Sequence, residues 1–243
     1  MRFDRLQHSY YELANDLPRL DILFRNLKVS FDIDGVEADS AKSALNNVNT
    51  ILGSKYSVRN LAGYFGLQEM IFRDFPDRFK TVDEARDFSI KTWNSHESLL
   101  EAEAISGAPE LARHFKRKNI VPFRITSRPG DVLQTTLNWY QQKMPDVDIT
   151  KILVQNGGSS INMNFKVDTI KNNNIDIHFE DSIDHALAVV ENTKARVVLI
   201  PQPWNTKFIK SGDYDKKRII APISDWRTPN KLSRVYLHLG QHI

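Results

Sequence analysis

Cysteine is missing from all 243 residues of the chain. Its absence excludes a thiol nucleophile, a Cys-ligated zinc or iron–sulfur centre and any disulfide framework. Chemistry has to come from carboxylates, hydroxyls, histidines, lysines or a bound hard cation. One-sided charge is lacking too. The 33 basic and 30 acidic residues leave a formal +3, too dilute to act as a nucleic-acid footprint. The densest basic stretches, His114 to Lys118 and Lys216 to Arg218, read as a solvated helix end and a solvated turn. Long hydrophobic runs are absent as well: Val197 to Ile200 falls far short of the ~20 residues of a spanning helix. The opening Met1-Arg2-Phe3-Asp4-Arg5 carries no continuous apolar stretch of the signal-peptide kind. A soluble cytoplasmic protein with neither membrane nor nucleic-acid partners is expected.

What is present is ordinary for a globular chain, with 41% apolar and 26% charged residues and no internal repeat. The length fits one large domain, or one domain with a sizeable insertion. Such a chain buries roughly 70–75% of its unfolded surface and needs no staple.

Short β-rich runs alternate with helical patterns. The expected strands are Leu27 to Ile33, Ile120 to Ile125, Lys151 to Val154, Ile175 to Phe179, Arg196 to Ile200 and Arg218 to Ile220. Continuous apolar runs of this length suit strands covered on both faces. Ala108-Pro109-Glu110 places proline at a helix start. The 130–143 segment puts Leu133, Leu137 and Tyr140 on one face, and Ile183, Ala186, Leu187 and Val190 follow amphipathic spacing. This alternation predicts an α/β fold with a parallel, Rossmannoid sheet flanked by helices. Two segments break the pattern. Residues 1–26 read as an N-terminal helical extension, and 37–107 as an inserted helical subdomain, far longer than an ordinary crossover.

The polar residues cluster where the apolar runs stop. After the first strand come Asp32 and Asp34, two apart and on one side of the sheet if the chain stays extended, followed by the turn-forming Gly35. Facing carboxylates need a cation or a shared proton. After the second strand come Thr126, Ser127 and Arg128, a combination of hydroxyls, helix-start amides and guanidinium that suits a phosphate. After the fourth come Glu180 and Asp181. Lys166 and Lys171 precede that strand, and either could neutralise these acids. Each element also has a plainer use, as an Asx turn, a helix cap or a solvated lysine. Their coincidence at successive carboxyl ends of a parallel sheet, where ligands bind, points to a hard cation, Mg²⁺, held by oxygen ligands with a phosphate beside it.

At this point the chain resembles the haloacid dehalogenase-like superfamily of phosphotransferases over about 27 to 227. Phe31-Asp32-Ile33-Asp34-Gly35-Val36, Ile125-Thr126-Ser127-Arg128-Pro129, Lys166 and Phe179-Glu180-Asp181-Ser182 resemble its four motifs in order. Within it the chain is most similar to the 5′(3′)-deoxyribonucleotidase group, through Thr136-Leu137-Asn138-Trp139, Pro201-Gln202-Pro203-Trp204-Asn205, Arg218 and Ser224-Asp225-Trp226. The resemblance implies a core of 27–36 and 108–243 with a helical cap of 37–107. It implies Asp32 as nucleophile, Asp34 as acid and base, Thr126 and Lys166 on the phosphoryl oxygens, and Gly35, Ser127 and Arg128 contacting substrate. Mg²⁺ would be bound by Asp32, the Asp34 carbonyl and Asp181, with Glu180 close. The implied substrate is a small phosphorylated molecule, a nucleoside monophosphate foremost, with another phosphorylated metabolite or a nucleic-acid phosphate terminus as the alternative. Tyr64, Phe65, Phe72 and Trp93 of the insertion could stack on a base or form the insertion's own core. One departure stands out: Val36 is followed by Glu37-Ala38-Asp39, where the group tends to be more apolar.

Overall fold

The computed structural model describes residues 21, 24–61, 66–155, 163–221, 225 and 227. Six strands make a single sheet: β1 (Val29–Phe31), β2 (Phe123–Pro129), β3 (Ile152–Gln155), β4 (Ile177–Glu180), β5 (Arg196–Leu199) and β6 (Ile219–Ile220). Their order is β3-β2-β1-β4-β5-β6, and every neighbouring pair is parallel. All six overlap the expected runs. β1 and β4 are buried along their whole length, as strands covered on both faces must be. β5 shows why. Val198 joins an apolar cluster with Phe31, Phe115, Trp139, Tyr140 and Phe179. Its neighbours Val197 and Leu199 join another with Ile125, Ile170, Ala186 and Val189. Successive side chains point to opposite faces, so the sheet carries a core on each side.

The strand order reverses between β1 and β4, and the crevice at that switch point is where an open α/β sheet binds ligands. Both acidic pairs lie at the carboxyl ends of the strands that flank it.

The helices are α1 (Ser40–Leu52), α2 (Gly66–Asp74), α3 (Val82–Trp93), α4 (His96–Glu101), α5 (Ala108–Arg117), α6 (Leu133–Lys143), α7 (Met163–Asn172), α8 (Ile183–Asn192) and α9 (Thr206–Ser211). α5 begins at Ala108 with Pro109 in its first turn, as its sequence predicts. Two expectations shift. β2 starts and ends about three residues later than its apolar run, because the chain stays extended beside β3 through Pro129, with an irregularity after Thr126. On α6 the buried face is Thr136, Trp139 and Tyr140, while Leu133 lies exposed. A 3-10 turn over Gly130–Val132 precedes that helix.

Between β1 and β2 lie α1 to α5. Ala41, Leu45, Val48, Leu67, Ile71, Phe79, Ala85 and Trp93 form an apolar cluster apart from both sheet cores, with Phe72 packed against it. The aromatics Phe72 and Trp93 are thus spent on this cluster; Tyr64 and Phe65 lie outside the described residues. So do residues 1–20 of the expected N-terminal extension. Its end is anchored: Phe24 packs on Phe115, and Asp21 pairs with His114 at 2.6 Å and Lys118 at 2.9 Å.

The unusual Glu37 finds its use here. The chain leaves and re-enters the sheet layer along two short segments joined by Asp39 N–H to Glu103 C=O and Ile105 N–H to Glu37 C=O, both 2.8 Å. The Glu37 carboxylate, 3% exposed, turns inward to Arg124 at 2.9 Å and accepts a short hydrogen bond from the Tyr140 hydroxyl. Arg124 also lies over the Phe31 ring. Removing one partner of a buried pair strands the other. Arg124→Met is therefore expected to lower the unfolding free energy by about 3–5 kcal/mol, and Tyr140→Phe by about 1.5–3 kcal/mol. Urea titration reads both, and a loss under about 1 kcal/mol for Arg124→Met would contradict the assignment.

Candidate active site

β1 stops at Phe31, and the chain does not stay extended. The Ile33 carbonyl accepts from both Glu37 N–H at 2.9 Å and Ala38 N–H at 2.8 Å, so a turn follows the strand at once. Asp32 and Asp34 consequently meet different partners. Asp34 receives both arms of Arg128, Nε to Oδ2 at 2.9 Å and Nη2 to Oδ1 at 2.7 Å. Asp32 Oδ2 takes the Lys166 ammonium at 2.9 Å, while its Oδ1 is buried with no hydrogen-bond partner.

Lys166, on α7, is 1% exposed. Its Nζ also reaches Glu180 Oε2 at 2.7 Å and His185 Nδ1 at 3.2 Å, so three acceptors face its three protons. Lys171, the other candidate, is exposed on the same helix. Glu180, wholly buried, has neither oxygen free. Oε1 accepts from the backbone N–H of Asp181 and Ser182, both at 3.0 Å. Oε2 faces Lys166 and, at 3.2 Å, His178 Nε2. Ser182 caps α8 weakly through its hydroxyl; the plainer role foreseen for it coexists with the site.

Thr126 and Ser127 sit at the neighbouring strand end. Thr126 Oγ1 accepts from the Arg128 backbone N–H at 3.2 Å. Ser127 Oγ is buried without a partner. Arg128 is 3% exposed and bonded further to Thr136 at 3.1 Å. The solvated role available to an arginine at a turn is not the one it has. Gly35 is forced by contact: at φ +73°, a Cβ built on it would lie 2.1 Å from Asp181 Oδ2.

The electrostatics follow from burial. Desolvation raises Asp32 well above the usual carboxylate range, with Glu180 and Asp34 adding repulsion that Lys166 only partly offsets. Asp181 is raised in the same way, by burial and then by Glu180 and Asp32. Burial opposes ionisation of Asp34 and Glu180 too, but Arg128 holds the first below its ordinary value and Lys166 the second. Lys166 stays protonated, because Asp32 and Glu180 outweigh its desolvation. Burial keeps His178 neutral and pushes His185 down to about 3. Carboxylate oxygens of Asp32, Glu180 and Asp181 lie within 4.8 Å of one another. An all-oxygen donor set of this kind suits a hard cation.

His185 escaped the sequence reading. Its only signal is its place three residues after the cap Ser182, where the first turn of α8 points it back at Lys166. Gln202 and Asn205 behind the site carried no chemical signal of their own.

The comparisons with known proteins agree with this picture. No family model matches the chain. A protein of Halalkalibacterium halodurans, "Putative nucleotidase BH1399", is 24% identical over 181 residues, 73% of this chain and 81% of its own length. Among solved structures, a "putative phosphoglycolate phosphatase" from Lactobacillus delbrueckii subsp. bulgaricus superposes with a TM-score of 0.55 at 14% identity, over 86% of this chain and 97% of that one. A "predicted phosphoglycolate phosphatase" from Haemophilus somnus gives 0.52 at 14% identity, over 85% and 90%. At these identities the likeness establishes the fold: the Rossmann-like α/β arrangement that the motifs imply. Among the described residues no helix is long and apolar enough to cross a membrane.

Two outcomes test the geometry. Gly35→Ala should cost clearly more stability than Gly53→Ala. Both glycines have positive φ, but nothing lies within 4 Å of a Cβ at Gly53, so the control carries only the backbone strain of about 1–3 kcal/mol. Equal melting temperatures for the two variants would contradict the contact with Asp181. His185 supplies a pH signature. Its folded pKa of about 3 lies below the ordinary 6.5, so the unfolded chain binds the extra proton and stability falls as pH drops from 6.5 towards 3. His185→Asn should narrow the difference in melting temperature between pH 7 and pH 4.5; an unchanged difference would refute the neutral, part-buried assignment.

Proposed function

We propose that the protein is a cytoplasmic, Mg²⁺-dependent phosphomonoester hydrolase of the haloacid dehalogenase-like kind, acting through an aspartyl-phosphate on (deoxy)nucleoside monophosphates. One observation carries the chemistry. Asp32 is fixed through Oδ2 by Lys166 while Oδ1, buried and unpartnered, remains to attack. Splitting one hard displacement into two is what such a nucleophile provides.

Attack of Asp32 on phosphorus forms the acyl-phosphate bond and breaks the ester bond, and the departing alkoxide takes a proton from Asp34. A water then loses its proton to Asp34 as it attacks phosphorus, releasing phosphate and restoring Asp32. Arg128 holds Asp34 ionised, the form needed for that second half. In the first half Asp34 must loosen from Arg128 to carry its proton. Ser127, with a buried and unpartnered hydroxyl, joins Thr126 and Lys166 as a holder of phosphoryl oxygens. An Asp32 oxygen, the Asp34 carbonyl and Asp181 would hold the Mg²⁺, whose charge would neutralise the phosphoryl oxygens in the transition state. Glu180, with both oxygens engaged, serves behind them as the anchor of Lys166 and of the Asp181 backbone.

The 37–107 insertion, with its separate apolar cluster, is the proposed cap over a core of 27–36 and 108–243. The end of the 1–26 extension is fastened to that core through Asp21 and Phe24. The nucleotide preference rests on the nucleotidase name of the H. halodurans relative and on the nucleotidase-like 201–205 turn. A different small phosphorylated acid is the second reading, favoured by the names of the two solved phosphatases.

A panel of phosphomonoesters with and without Mg²⁺ tests both. Release of phosphate from nucleoside monophosphates, abolished by EDTA and by Asp32→Asn and reduced about 10²–10⁴-fold by Asp34→Asn, is the expected result. Full activity in Asp32→Asn would remove the proposed nucleophile, and turnover of phosphoglycolate alone would favour the second reading.

A further inference from the structure

The turn after β5 takes no part in the chemistry above, yet its polar side chains reach into both acidic loops. Asn205, wholly buried, donates from its amide nitrogen to the Asp181 carbonyl at 2.7 Å and to the Ile200 carbonyl at 2.8 Å. Its own oxygen accepts from the Gln202 backbone N–H at 2.8 Å. The Trp204 indole N–H donates to the same Asp181 carbonyl at 3.2 Å. The Gln202 side chain, 6% exposed, donates a short hydrogen bond to the Gly35 carbonyl. One turn therefore grips a carbonyl on each side of the switch point: Asp181, a proposed cation ligand, and Gly35, the residue after Asp34.

Those two loops also touch each other, since no Cβ fits between Gly35 and the Asp181 carboxylate. Their separation sets the distance between the oxygen donors of Asp181 and those of the 32–34 segment. Packing alone prevents the loops from coming closer; the hydrogen bonds from Gln202, Trp204 and Asn205 prevent them from drifting apart. Trp204 has a second contact, because its ring packs on the apolar cluster of the insertion. The indole thus joins the insertion to the Asp181 backbone through one rigid side chain.

We propose that Gln202, Trp204 and Asn205 are positioning residues that fix the spacing of the Asp34–Gly35 and Asp181 loops, and so set the affinity of the Asp32–Asp181 cluster for a divalent cation. The inference rests on reading that cluster as a cation site. Outer hydrogen-bond partners of metal ligands typically account for about 10–100-fold in affinity. A brace that served folding alone would lower the melting temperature and leave cation affinity as it was.

Calorimetric titration of the full chain with Mg²⁺, in the absence of substrate, separates the two roles. Asn205→Ala removes both donors to carbonyls and should weaken Mg²⁺ binding about 10–100-fold. Trp204→Phe keeps a ring against the insertion and loses only the N–H, so it should weaken binding in the same direction by less, with little change in melting temperature. Gln202→Leu should weaken it through Gly35. Wild-type affinity, within about twofold, in folded Asn205→Ala would overturn the proposal. Should Asn205→Ala fail to fold, wild-type affinity in both Trp204→Phe and Gln202→Leu would overturn it equally. A wild-type chain that takes up no Mg²⁺ would overturn the cation reading and this inference together, whereas uptake unchanged across the variants would remove the inference alone.

Discussion

A surplus of buried negative charge at the sheet's switch point is the constraint on which the rest of the site depends. Asp32, Asp34, Glu180 and Asp181 meet there, and among the described residues only Lys166 and Arg128 pair with them as permanent cations. The histidines nearby are kept neutral by burial. Arg128 is consumed by Asp34, and Lys166 by Glu180 and one oxygen of Asp32. What is left over, the second oxygen of Asp32 and the carboxylate of Asp181, is a charge that a buried site does not tolerate alone. The proposed divalent cation would remove the imbalance and let a phosphate approach.

The scaffold serves that imbalance. Parallel strands bring the carboxyl ends of β1 and β4 side by side, and Gly35 lets the two acidic loops come into contact. The turn after β5 holds them there. The Glu37–Arg124–Tyr140 group, on the sheet face that carries Phe31, fastens the two segments through which the insertion leaves and returns. The site and the base of the insertion thus use separate buried ion pairs.

The strands were legible because a strand buried on both faces must be apolar throughout, so β1, β4 and β5 stand out as continuous runs that end where polar residues begin. That helices lie between β1 and β2 was legible from the wide spacing of the first two apolar runs. The pairing inside the site was not. Asp32 and Asp34 were expected to face the same way, and only the turn closed on the Ile33 carbonyl sends them to different cations. Helical periodicity cannot say which of Lys166 and Lys171 points inward, because that depends on how α7 rotates against the sheet. The same limit hid His185 and misassigned Leu133. Glu37 looked like a departure from an apolar pattern, and its partner Arg124 lies 87 residues away, beyond the reach of any local rule. The insertion's aromatics posed the reverse problem: their chemistry suits stacking on a base, but the described ones, Phe72 and Trp93, pack on one another's cluster.

The central claim is that the free oxygen of Asp32 attacks phosphorus. Borohydride added during steady-state turnover reduces an aspartyl-phosphate to homoserine, and peptide mass mapping then locates it. The account predicts homoserine at Asp32, dependent on substrate and absent when Mg²⁺ is withheld. Continued turnover with Asp32 unmodified, or homoserine at Asp34 or Asp181 instead, would contradict it.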